Sequence, residues 1–64
     1  MSDTSALQEL NEAMSRRQPM IKHVLVARAM HEVMGVNLGA AEDVERQLVR
    51  NGYEQLPRGD WMLS

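Results

Sequence analysis

His23 and His31 are the only histidines of the chain, and they stand eight positions apart in a stretch of helical periodicity. Helix geometry projects them about 80° apart around the axis. A metal-binding pair on one helix needs i,i+3 or i,i+4 spacing, and the chain has no cysteine to complete a site. Both are read as structural histidines. Glu42, Asp43 and Glu45 bring carboxylates close together, as general acid–base chemistry would require. They fall at the start of a helical pattern, where the helix dipole favours negative charge, and are read as charges that suit a helix start. Ser5 has no base in a catalytic motif beside it, and Gly35 and Gly39 do not form a phosphate-binding loop. Arg58-Gly59-Asp60 spells the tripeptide read by integrins, a coincidence in a chain of cytosolic character. A catalytic pocket needs walls that so short a chain hardly supplies. The expectation is a protein that is not an enzyme, with no metal and no cofactor.

The elements that position these residues must fit into 64 positions. That length allows one domain, 1–64, with residues 1–4 a frayed end. A chain of this size buries only ~60% of its unfolded surface. Disulfides cannot help, and with no Phe and 3% aromatics the core must rest on Leu, Val, Ala and the six Met. A partner chain is one remedy for so small a core, so a homodimer is expected. The formal charge is −2, without the basic excess that phosphate contacts favour. The acidic, polar N-terminus has no signal-peptide pattern. The longest apolar run, Val24–Ala27, falls far short of the ~20 residues of a membrane span. The chain is expected to be complete from its start methionine, without membrane association, and cytoplasmic.

Ser5-Ala6-Leu7-Gln8 reads as a capping box. Ala6, Leu7, Leu10, Ala13 and Met14 follow at helical spacing, which predicts helix 1 over 5–17. Pro19 suits a first helical position, so helix 2 is predicted over 19–34, with Gly35 as a left-handed stop. Its apolar residues surround the axis, so it wants cover on more than one side. A strand across Ile21–Val26 is the competing reading. Asn37 or Gly39 is expected to cap helix 3, predicted over 40–51, with Ala41, Val44, Leu48 and Val49 as its buried stripe. Gly52 is its left-handed stop.

The last segment holds Tyr53 and Trp61, the only two aromatics. Leu56-Pro57-Arg58-Gly59 fits a type I turn, and Gly59 fits the left-handed residue of a bulged hairpin loop. This register pairs Leu56 with Asp60 and Gln55 with Trp61. It places Tyr53, Trp61 and Leu63 on one face, and Glu54 and Asp60 on the other. The fold class expected is mainly α, with three helices and a C-terminal hairpin over 53–56 and 60–63.

Helix 2, a short turn, helix 3 and a hairpin together resemble a winged helix-turn-helix over residues 20–63. Within it, "VERQLVRNGYEQLPRGDWML" is similar to the helix-then-wing tail of that superfamily. The resemblance implies DNA binding, with Val44, Leu48 and Tyr53 in the core and Arg58 at the wing tip. The chain departs from it in a long helix 2 and in the acids that open helix 3, which phosphates would repel. The tail also resembles small interferase toxins of the HicA type. Where those carry a Gly-Ser-His site, this chain has Gly59-Asp60-Trp61, so their activity is not implied.

Two functions are weighed. The first is a small protein-binding regulator or inhibitor of the kind encoded by phages, plasmids or small operons. Methionine suits a pliable contact surface, so its anchors would be Met20, Met30, Met34 and Tyr53, with Arg16 and Arg17 at the rim. Its homodimer is expected near Val24, Ala27, Met30 or Met34. The alternative is a winged-helix DNA-binding transcriptional regulator using Arg46, Arg50 and Arg58. The net negative charge and the acidic start of helix 3 favour the first.

Overall fold

In the computed structural model, which describes residues 5–64, the chain forms helices and strands in the order α1 (Ala6–Ser15), β1 (Met20–Ile21), α2 (His23–Met34), α3 (Ala40–Arg50), β2 (Tyr53–Gln55) and β3 (Trp61–Leu63). The expected mainly-α architecture with a C-terminal hairpin is present. The frayed end expected at residues 1–4 lies outside the described residues.

Helix α1 opens as its sequence suggests: the Ser5 hydroxyl accepts from the Gln8 backbone N–H at 3.0 Å. Ala6, Leu10, Ala13 and Met14 form its buried face. Its end is less conventional. Arg17 takes a left-handed conformation, φ 54°. The Arg17 N–H donates to the Met14 carbonyl and the Gln18 N–H to the Ala13 carbonyl. That is the Schellman arrangement, at the position where glycine is usual.

Helix α2 starts later than the predicted position 19. Met20–Ile21 is a strand instead, antiparallel to β3, with Met20 opposite Met62 and Ile21 opposite Trp61. Pro19, whose φ suits extended chain as well as a helix start, gives its carbonyl to the Leu63 N–H at 2.9 Å. The hairpin leaves one edge of β3 open, and this segment closes it. The competing strand reading over Ile21–Val26 meets the structure only at Ile21, since the chain is helical from His23 onward. Gly35 is right-handed, φ −65°, so it is not the predicted left-handed stop.

The sheet order is β1-β3-β2. Gln55 faces Trp61 across β2 and β3, and the Leu56 N–H donates to the Asp60 carbonyl at 2.7 Å, as the turn chemistry predicts. Gly52 and Gly59 have φ of 92° and 103°, conformations that glycine adopts without a Cβ clash.

The core joins all these elements: Ala6, Leu10 and Met14 of α1, Ile21, Val26 and Ala29, Val44 and Leu48 of α3, and Tyr53 and Trp61. Val49 was expected among them and is 62% exposed. The buried stripe of α3 is narrower, centred on Val44 and Leu48.

Candidate functional site

Of the residues that suggested chemistry, Ser5, His23 and Asp60 make bonds that hold the fold. Asp60 was expected on the hairpin face opposite Tyr53 and Trp61, and it is only 6% exposed. Its Oδ1 accepts from the His23 backbone N–H at 2.8 Å and from the His23 ring Nδ1 at 2.9 Å. A carboxylate only accepts, so His23 must carry its proton on Nδ1. Lys22, at the N-cap of α2, makes no side-chain cap. The Asp60 carboxylate takes over that duty from 37 residues away, on a helix start that favours negative charge. The backbone bond from His23, then its ring bond, hold the Asp60 carboxyl below its usual pKa.

Glu32 does the same for α1. Its two oxygens accept from the N–H groups of Ala6, at 2.7 Å, and Leu7, at 3.2 Å. Those bonds, Ala6 first, lower its pKa, and the nearby Arg28 charge adds to the effect. Neither carboxylate was read from the sequence as a helix cap. The one available signal was a helix start at 22–23 without Ser, Thr, Asp or Asn to cap it.

His31 is exposed, and so are Glu42, Asp43 and Glu45 on α3. Asp43 is bonded to Arg46 one turn on, at 2.6 Å. Among the described residues, no group of three His, Cys, Asp or Glu side chains is placed to hold a metal ion.

The residues expected at interfaces differ in their exposure. Tyr53 is 2% exposed and donates its hydroxyl to the Gln18 carbonyl at 2.6 Å. As folded it is a core residue, not a surface anchor. Its large apolar ring and its buried, satisfied hydroxyl explain the difference. Met30 is half-buried and packs on the core, whereas Met20 and Met34 are exposed. Arg16 and Arg17 are exposed at the end of α1, and the Arg17 guanidinium reaches toward Gly52. Arg46 and Arg50 are exposed on α3, and Arg58 at the hairpin loop.

A different surface gathers apolar atoms. Leu7, Leu10, Met14, Val33, Ala40 and Val44 line a groove of 310 Å³ between α1 and the two later helices. It continues into a second hollow of 420 Å³, which shares Leu7, Val33 and Ala40 and adds Val36. Beside it runs the α2–α3 turn, where Val36 is 91% and Leu38 78% exposed. The turn is held locally: the Asn37 N–H donates to the Val33 carbonyl, the Gly39 N–H to Asn37 Oδ1 and the Ala40 N–H to the Asn37 carbonyl. Sequence reading passed over Val36 and Leu38 as a connection.

Among the described residues, no helix is long and apolar enough to cross a membrane. No protein-family description, characterised protein or solved structure matches this chain.

Proposed function

We propose that the chain is a small non-enzymatic, protein-binding regulator or inhibitor that acts by occupying the surface of a partner through the α2–α3 turn and the groove behind it. The observation that carries this reading is the exposure of Val36 and Leu38 on a short turn, immediately ahead of Glu42 and Asp43 on α3. Two large apolar side chains that fill no internal space, beside a groove partly lined by apolar residues, support reading this face as a contact surface. The reading places the chain in the cytoplasm, in keeping with a cysteine-free sequence, and among the small regulators of phages, plasmids and compact operons.

The element order and the sheet order β1-β3-β2 support a winged-helix-like layout, with α2 and α3 as the helix-turn-helix and β2–β3 as the wing. That layout favours a second reading, in which Arg46, Arg50 and Arg58 meet DNA. In such a module the turn and the start of α3 approach the duplex. Here that stretch carries Val36, Leu38, Glu42 and Asp43, and Arg46 is already paired with Asp43.

A titration of the chain against DNA from its own promoter region, at about 150 mM salt, tests the reading. Any binding is expected to be weak and to collapse as salt rises, since it would come from scattered phosphate contacts. Nanomolar, sequence-dependent binding that is lost on changing Arg46, Arg50 or Arg58 would overturn the protein-binding reading.

A further inference from the structure

We propose that Asn51–Gly52, at the junction of α3 and β2, is a deamidation site that the folded chain holds shut and that opens when the C-terminal end of the sheet lifts. Water is the co-reactant.

Of the three asparagines, Asn51 alone precedes a glycine; Asn11 precedes Glu12, and Asn37 precedes Leu38. Cyclisation needs the next backbone nitrogen without its proton and the asparagine side chain turned onto it. Glycine has no side chain to obstruct that approach. The Gly52 nitrogen gives its proton to hydroxide and attacks Cγ of Asn51. A bond from nitrogen to Cγ closes a succinimide ring, the bond from Cγ to Nδ2 breaks, and Nδ2 leaves as ammonia with a proton from water. Water then opens either ring carbonyl, which leaves aspartate or isoaspartate in place of Asn51.

The folded chain denies both conditions. The Gly52 N–H donates to the Val49 carbonyl at 3.0 Å. The Asn51 Nδ2 donates to the Gln47 carbonyl at 2.7 Å and reaches the Met14 sulfur at 3.6 Å. Both partners are acceptors, so the amide nitrogen must face them, and Cγ is anchored with it. From the other side, the Gly52 carbonyl accepts from the Ser64 backbone N–H and hydroxyl, both at 2.9 Å. Ser64 is the clasp that keeps Gly52 in place at the end of β3. Attack waits for that clasp and the last turn of α3 to loosen, so its rate follows the population of the open form.

The product does not refit. A carboxylate in place of the Asn51 amide has no N–H for the Gln47 carbonyl. It also puts negative charge at the C-terminal end of α3, which the helix dipole disfavours. Isoaspartate adds a carbon to the backbone just ahead of the Tyr53–Leu63 pair. A chain that has opened and reacted is thereby marked, and it closes less firmly than before.

The test incubates the whole chain in mildly alkaline buffer, folded and in guanidinium chloride. Peptide mass spectrometry locates the deamidation, and enzymatic methylation reads the isoaspartate. Product is expected at Asn51 and not at Asn11 or Asn37, about tenfold or more slower in the folded chain than in the unfolded one. Ser64→Pro removes both donors to Gly52 at an exposed chain end, so circular dichroism should stay unchanged. Its folded-state rate should rise severalfold, and its unfolded-state rate should match the parent's. Asn51→Asp, which is one of the two products, should melt below the parent. Equal rates in the folded and unfolded chain overturn the proposal, as does an unfolded chain that reacts no faster at Asn51 than at Asn37. A Ser64→Pro chain that reacts at the parent's rate when folded overturns the clasp, and an Asn51→Asp chain as stable as the parent overturns the marking.

Discussion

The hairpin loop and the α2–α3 turn are both short, glycine-containing connections, and they behave in opposite ways. The hairpin is tied into the rest of the molecule. Asp60 caps α2 from across the chain, Tyr53 bonds to Gln18, and Trp61 packs in the core between Gln55 and Ile21 of the flanking strands. The turn makes backbone hydrogen bonds only to residues a few positions away and points its large apolar side chains outward. The Asp60 carboxylate and the Tyr53 hydroxyl at the hairpin belong to buried residues and are satisfied, which is what a structural element needs. Val36 and Leu38 at the turn are instead exposed, and their segment makes only local backbone bonds.

The sharpest test of this contrast is to truncate a large side chain at each place. Trp61→Ala is expected to cost about 3–5 kcal/mol, as removal of a buried aromatic does, and to unfold a domain this small. Leu38→Ser is expected to change stability by no more than about 0.5 kcal/mol. Urea denaturation of both variants measures the difference. Equal losses would mean that the turn is structural and that the contrast is false.

A smaller effect is expected from backbone conformation, with opposite signs at two positions. Gly59, at φ 103°, lies where a β-branched residue is strained, so Gly59→Val should lose about 1–3 kcal/mol. Arg17, at φ 54°, already bears that kind of strain, so Arg17→Gly should gain up to about 1 kcal/mol. Thermal melts that move in the same direction for both would refute the account of the two left-handed positions.

The smallest effect is read as a slope against pH. Bonds from His23 lower the Asp60 pKa, with Lys22 nearby, and bonds from Ala6 and Leu7 lower that of Glu32, with Arg28 nearby. A depressed carboxylate pKa stabilises the fold above the unfolded value, ~4. That stability is lost as pH falls through ~4 toward the lower folded values. Unfolding midpoints should therefore drop on acidification through this window, and less steeply in the double variant Asp60→Asn, Glu32→Gln. An unchanged slope would show that the two caps carry no charge-dependent stability.

The candidate contact face was poorly legible before the structure. Met20, Met30, Met34 and Tyr53 were chosen for residue type, and type does not report exposure. Tyr53 turned inward because its ring completes the core and its hydroxyl finds a carbonyl. Met30 turned inward with the α2 face that carries Val26 and Ala29. Val36 and Leu38 escaped notice because a short connection is expected to be polar, and only the arrangement of three helices reveals that nothing covers them.

What the amino-acid order determined by itself is local. The helical spacing of Leu10, Ala13 and Met14, and of Val44 and Leu48, produces α1 and α3. The Ser5 cap, the left-handed Gly52 and Gly59, and the Gln55–Trp61 register follow from the geometry of a few neighbouring residues. The tertiary structure decided whatever needed a partner far along the chain. Met20–Ile21 became a strand because β3 offered an open edge. Glu32 and Asp60 became caps because folding brought their carboxylates to helix starts that had unpaired N–H groups. The reason is the same in each case: a backbone donor or an open edge must be satisfied, but the sequence does not state which distant residue will satisfy it.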